Sequence, residues 1–198
     1  MLKSVLRYCL VYTSFFLMNP DLSAQEIDFG DYFNYSLSVA EQNPGADFEF
    51  GTIISGSGLN SIGIASSKVI TITGVKYLDV FLTVTADNEL LLDGNPGCAS
   101  DPTCSIDFTL EAAYANRGSD NIGQARIISV VANSGTAQFP VKYRTSAPPA
   151  PPPTPVYEGY DPSAFNETAY LYLYGSLSVG NVNSGSYSAE IDITIVYD

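Results

Sequence analysis

Residues 169–180 read AYLYLYGSLSVG and residues 186–197 read SYSAEIDITIVY, and these two stretches decide the fold class. Apolar side chains occupy alternate positions in both runs, which is the period of a β-strand with one buried face. The turn-rich residues between them, NVNSG, predict that the two runs pair as a β-hairpin. Both runs exceed the usual strand length, so this hairpin requires a second sheet to cover its apolar face.

The same alternation recurs through the middle of the chain, while long helical periodicity is missing. Strands are predicted over residues 68–73, 78–85, 106–114, 126–131 and 137–143. Pro140 lies inside the last of these runs and predicts an edge strand or a bulge there, because proline cannot donate to a β-ladder. The pattern predicts an all-β protein, an antiparallel two-sheet β-sandwich of about nine to eleven strands.

Two segments resemble a known family. The first is carried by Gly175, Leu177, Val179, Gly180, Gly185, Tyr187, Ile191, Ile193, Thr194, Ile195 and Tyr197. These residues resemble the closing signature of the bacterial domain of unknown function 4402 family, and residues 48–53 (FEFGTI) resemble its early F-G-x-I strand. Ala189 stands where a glycine is common in that family. The resemblance implies an Ig-like or pilin-like sandwich of the kind found in exported and surface proteins.

Residues 1–24 have the features of an export signal peptide. Lys3 and Arg7 give a positive start, residues 8–18 are apolar, and Ala24 offers a small residue for cleavage. The apolar run is too short to span a bilayer as a helix, which needs about 20 residues. We therefore predict a mature protein without a membrane span, exported to the periplasm, the cell surface or the extracellular space.

Residues 25–46 are predicted to form an N-terminal strand segment ahead of a single sandwich domain, residues 47–198. From Ile27 to Val39 the odd-numbered positions are apolar, except Asp31. This strand has two possible places. It completes the sheet of its own domain, or it is donated to a neighbouring subunit or another envelope protein by strand addition.

The amino-acid composition limits which binding partners and which kinds of site are plausible. The chain holds 8 basic and 21 acidic side chains, a formal charge of −13, which disfavours nucleic acid and anionic membrane surfaces. Cys98 and Cys104 lie close together in a turn-rich loop, and in an exported protein such a pair predicts a disulfide. Because the chain has no histidine, we expect no metal site and no cofactor.

A proline-rich stretch, APPAPPPTP at residues 147–155, predicts an extended polyproline segment. Only the final pair of strands follows it, and two strands are too few for a separate domain. The segment is therefore interpreted as an excursion within the sandwich domain, over residues 145–166.

No catalytic site is predicted, because histidine-based triads and a glycine-rich phosphate loop are both missing. Two pairs of carboxylates are candidates for glycoside hydrolysis, Asp87 with Glu89 and Glu190 with Asp192.

Two function classes remain. One is a non-enzymatic structural or interaction protein of the cell envelope or surface, such as a subunit of a pilus-like assembly. The other is a small glycan- or protein-binding module. Its candidate binding face is the aromatic row of Tyr170, Tyr172 and Tyr174, which alternates with the leucines. Ordinary packing is the competing interpretation of that row.

Overall fold

A computed structural model describes residues 35–45, 48–143 and 165–198, all of which belong to the compact unit Asn34–Asp198. The predicted signal peptide, residues 1–24, and nearly all of the proline-rich excursion lie outside the described residues. The strands are β1 (Ser38–Glu41), β2 (Gly58–Ile62), β3 (Lys68–Val75), β4 (Asp79–Ala86), β5 (Glu89–Leu92), β6 (Ser105–Ala115), β7 (Arg126–Ile128), β8 (Val130–Val131), β9 (Ser134–Pro140), β10 (Asn166–Val179), β11 (Tyr187–Ser188) and β12 (Ile191–Tyr197).

The predicted all-β fold class is confirmed. Eight strands form one antiparallel sheet, here sheet A, with the main order β1-β3-β10-β6-β5-β11; β2 pairs with β10 and β7 pairs with β6. Four strands form sheet B, in the order β12-β4-β9-β8. Aliphatic side chains from both sheets make one main core, in which Ile72, Leu82, Leu110 and Leu171 are fully buried. The twelve described strands exceed the predicted nine to eleven. Two of them, β8 and β11, are only two residues long, which is too short to be predicted from an alternating pattern.

The predicted C-terminal hairpin is wrong. β10 lies in sheet A between β3 and β6, whereas β12 lies at the edge of sheet B and pairs with β4. The second run is also divided, because Tyr187–Ser188 pairs with β5 and the long strand begins only at Ile191. The alternation identified the buried faces of both strands correctly. These faces meet across the core instead of lying side by side in one sheet.

The middle strands lie near their predicted positions. Residues 126–131 divide into β7 and β8, which belong to different sheets. Pro140 is the last residue of β9. β8 pairs only with Ser134 and Gly135, so among the described residues the Pro140 end of β9 pairs with β4 alone, which agrees with the predicted edge position. Residues 48–53 form no strand, contrary to what the family resemblance implies; they form an extended covering segment.

A buried asparagine completes sheet A where two short strands leave a gap. β5 and β7 both pair with the outer edge of β6, but they leave residues 108–111 between them. Asn133 fills part of this gap: its Oδ1 accepts the Leu110 N–H at 2.8 Å, and its Nδ2 donates to the Phe108 carbonyl at 2.9 Å. Its Nδ2 also donates to the Asp87 carbonyl after β4. Because Asn133 joins β8 to β9 in sheet B, this side chain connects the two sheets.

Gly175 marks the closest approach of β10 to β6. A Cβ atom added at Gly175 would collide with the backbone carbonyl of Thr109, which a side-chain movement cannot relieve. We expect Gly175→Ala to lower the free energy of unfolding by about 1–3 kcal/mol, as overpacking does. Gly180→Ala is the control, since no atom lies within 4 Å of its added Cβ. Equal urea midpoints for the two variants would contradict the prediction.

Candidate functional site

The tyrosine row lies on the face of β10 opposite the core leucines, as the alternation predicts, but it is largely covered. Tyr172 is 0% exposed and Tyr174 is 8% exposed, while Tyr170 keeps an intermediate exposure. With Ala113 and Ala115 of β6 the two buried rings form a second, smaller core on the outer face of sheet A. Partly buried apolar residues that pack against it are Ile64, Val69, Ala125 and Tyr170. This placement is packing rather than an open aromatic platform, and ligand binding by the row stays a prediction.

The Tyr172 hydroxyl connects this second core to the loop between β6 and β7. It donates a hydrogen bond to Asp120 Oδ1 at 2.7 Å, and Asp120 Oδ2 accepts one from Gln42 at 3.1 Å. Burial raises the pKa of Tyr172 well above its ordinary value, and the adjacent Asp120 carboxylate raises it further. Burial likewise raises the pKa of Tyr174. Both hydroxyls therefore stay protonated at neutral pH.

The N-terminal strand segment packs on its own domain in the part that the structure describes. β1 pairs with β3 along the edge of sheet A, and Leu37 packs against the main core. The inward alternation does not continue to Val39, which is 40% exposed on a strand that is exposed at all four residues. Residues 25–34 of the predicted segment lie outside the described residues.

The last strand of sheet B has an open edge. Within the described ranges, β12 pairs only with β4. Ile191, Ile193 and Ile195 point toward the core but stay partly exposed. At the end of the strand, the Tyr35 and Tyr197 rings meet edge to face with centroids 6.3 Å apart, and the Tyr197 hydroxyl donates to the Ser36 carbonyl. Tyr35 and Ser36 therefore pack against the Tyr197 side chain at one end of this strand.

A cavity of about 870 Å³ lies over the inner face of sheet A. Its floor consists of four core side chains, Leu90, Ile106, Leu177 and Val179, from three strands of that sheet. None of the lining residues belongs to sheet B, so the cavity lies where the smaller sheet leaves the larger one uncovered. The volume falls in the range of small-molecule pockets, roughly 300–1,000 Å³.

Two irregular segments wall this cavity, residues 48–53 on one side and residues 182–187 on the other. No backbone hydrogen bond joins residues 48–53 to another residue in the described part of the chain, so side chains hold the segment in place. Phe48 and Phe50 pack on each other with centroids 5.3 Å apart, and both contact the Phe108 ring. The segment is anchored just after its end, where Gly56 N–H donates to the Gly180 carbonyl at 2.7 Å.

The predicted disulfide is present and braces the second wall. Cys98 and Cys104 are bonded, with Cα atoms 5.4 Å apart, in the loop between β5 and β6. The Thr103 carbonyl in this loop accepts the Asn183 N–H at 2.8 Å. The pKa of Asp101 is lowered because the Thr103 N–H and hydroxyl donate to its carboxylate, which fixes the loop further. The disulfide loop thus supports residues 182–187 from outside.

Two of the four carboxylates considered for glycoside hydrolysis make structural hydrogen bonds. Asp87 accepts the Glu190 N–H, and Glu89 accepts the Ser100 N–H. Asp192 points outward from β12. Across the residues that the structure describes, no three histidine, cysteine, aspartate or glutamate side chains come together as a metal site requires.

Comparison with known proteins gives no relative. No family model matches the chain, and neither a curated protein nor a solved structure matches it. The resemblance to the bacterial domain of unknown function 4402 family stays a prediction. Among the described residues, no helix has the length and apolarity to cross a membrane.

Sequence reasoning missed the cavity. Three floor residues, Ile106, Leu177 and Val179, were predicted only as strand core, and Leu90 lay in no predicted strand. In the second wall, residues 182–185 were interpreted as a turn. The one available signal was FEF at residues 48–50, which puts two phenylalanines on one side of an extended segment.

Proposed function

We propose that this protein is a non-enzymatic, exported structural or interaction protein of the bacterial cell envelope or surface, and that it assembles with other polypeptides by strand addition at β12. The observation that carries the proposal is the open edge of β12. This strand has seven residues, a row of partly exposed isoleucines on its inner side, and no second partner strand in the described part of the chain.

The composition of β12 favours the addition of a foreign strand at its edge. Natural sheets protect their edges with short strands, lysines, prolines or bulges, because an unpaired edge accepts foreign strands. The other described edge strands have five residues or fewer, and β1 carries the ion pair of Glu41 with Lys68. By contrast, the sequence IDITIVY contains neither lysine nor proline, and Asp192 is its single charge.

The chain itself contains a matching strand. In residues 27–33, Ile27, Phe29 and Phe33 have the spacing to place apolar side chains beside the isoleucines, and Asp31 is the one charged residue on that face. We propose this segment of a second copy as the added strand. Donation from copy to copy is head to tail and does not close on itself, so it builds a fibre, as a pilus-like subunit does.

Two further observations support export. The Cys98–Cys104 disulfide is typical of proteins that fold in oxidising compartments outside the cytoplasm. Residues 1–24 have the order of a signal peptide, with positive, apolar and small residues in sequence.

A small binding module is the second candidate function. The cavity favours it, since a volume of about 870 Å³ over an apolar floor suits a ligand or a protein side chain. The tyrosine row supports glycan binding less, because two of its three rings are buried.

A charged side chain introduced at the β12 edge tests the strand-addition proposal. Val196 points outward and is 51% exposed, and it lies directly opposite Phe81 of β4, which is 41% exposed. We expect the mature chain to self-associate as its concentration rises, Val196→Lys to weaken this association severalfold, and deletion of residues 26–34 to abolish it. Sedimentation velocity measures each case.

Phe81→Lys is the matched control, since it places the same charge on the same face but on a strand that is paired on both sides. It should leave the association unchanged. A mature protein that stays monomeric at high concentration would reject donation between copies. Hydrogen-exchange protection of β12 in that monomer would show that the chain covers its own edge.

A further inference from the structure

We propose that the cavity beneath residues 48–53 binds a small organic cation that carries an apolar tail. The inference is independent of strand addition, because none of the lining residues belongs to β12.

The floor suits an apolar tail. Leu90, Ile106, Leu177 and Val179 present aliphatic side chains to the cavity from the inner face of sheet A. A tail that covers this floor is removed from water, and the gain grows with the apolar area buried. The tail needs little rearrangement to enter, because residues 48–53 are held without backbone hydrogen bonds to other described residues.

The wall suits a cationic head. Of the described residues that line the cavity, Glu49 alone carries a charge, and it forms no ion pair with another described residue. The partly buried rings of Phe48 and Phe50 flank it in sequence and line the same cavity. Aromatic rings attract ammonium groups through their negative faces, most strongly where water is excluded. Glu49 is exposed, so its carboxylate lies at the rim of the cavity, and the lining offers a cation this carboxylate and two phenyl rings but no lysine or arginine.

The net charge of the whole protein also favours a cationic ligand. With a formal charge of −13, the protein attracts cations and repels anions before any contact forms. The polar wall residues Thr52, Asn183, Ser184 and Ser186 are neutral and do not oppose a cation. An anionic amphiphile such as a fatty acid is thus disfavoured both at long range and at the site.

The test compares three ligands that share one tail and differ in the charge of the head: decyltrimethylammonium, decyl maltoside and decyl sulfate. Each is titrated into the mature protein by calorimetry below its micelle concentration. We expect saturable one-site binding of the cation, weaker binding of the neutral ligand, and the weakest binding of the anion. Affinity for the cation should fall as the salt concentration rises.

Glu49→Gln is the deciding variant, because it removes the charge at an exposed position and leaves the fold intact. We expect it to lower the affinity for the cation by up to about fivefold, which is the range of exposed charge pairs, and to leave the affinity for the neutral ligand unchanged. Glu111→Gln is the matched control, since Glu111 lies on the outer face of β6, away from the cavity. An equal loss in both variants would assign the effect to net charge alone and overturn the proposal. Equal affinities for all three ligands, or no saturable binding, would also overturn it.

Discussion

Tyr172→Ser is expected to lower the free energy of unfolding by about 3–5 kcal/mol, the usual cost of truncating a buried aromatic side chain. Tyr172 is fully buried in the second core and has no exposed surface to offer a ligand. The change also removes the hydroxyl that donates to Asp120, and with it the link between β10 and the loop before β7. Urea unfolding monitored by circular dichroism measures the loss.

Two controls separate packing from polarity. Tyr172→Phe removes only the hydrogen bond to Asp120 and should cost about 0.5–1.5 kcal/mol. Tyr143→Ser makes the same large-to-small change at an exposed ring, so the loss there should be far smaller. If Tyr172→Ser left stability nearly unchanged and reduced binding of a glycan, the ring would be a ligand contact and its burial would not describe the functional state.

The alternation of apolar residues was sufficient to predict the fold class and the buried faces. Leu171 and Leu177 of β10 and the isoleucines of β12 all face the core, as the period of two requires. Periodicity identifies a face, however, and carries no information about the neighbouring strand. Because opposite sheets of a sandwich bury the same pattern, two consecutive strands can pair or can face each other across the core. Here they face each other, and the hairpin prediction failed for that reason.

The burial of the tyrosine row depends on irregular structure. Ile64 belongs to a short 3₁₀ turn before β3, and Ala125 follows a second such turn before β7. Neither segment has a periodic pattern, so the sequence does not reveal that they pack beside Tyr172 and Tyr174. The alternation correctly placed the tyrosines opposite the leucines, but only tertiary structure shows that this outer face is covered.

The cavity was unpredictable for a related reason. It arises where an eight-stranded sheet extends beyond a four-stranded one, and its walls come from segments more than 100 residues apart in sequence. No local pattern encodes that difference in sheet size. The disulfide, by contrast, was predictable because its two cysteines are separated by six positions and its context is a single turn-rich loop.

Asn133→Ala is expected to destabilise the protein by about 3–5 kcal/mol, because leaving buried polar groups unpaired costs about 1–3 kcal/mol each. The change removes three hydrogen bonds and leaves the Leu110 N–H and the Phe108 carbonyl without their partner inside the sandwich. Asn133 also has a positive φ of 55°, a conformation that alanine adopts less readily than asparagine. Chemical unfolding gives the total loss, and amide hydrogen exchange at Leu110 reports the opening of the gap between β5 and β7.

Two companion variants divide this loss. Asn133→Gly relieves the backbone conformation but not the missing hydrogen bonds, so its difference from Asn133→Ala measures the backbone contribution. Asn121→Ala removes one surface hydrogen bond, to the Gly123 N–H, and should cost much less. A loss at Asn133 no larger than at Asn121 would show that water replaces its hydrogen bonds. In that case the connection between the sheets would not depend on this side chain, and the aliphatic core alone would hold them together.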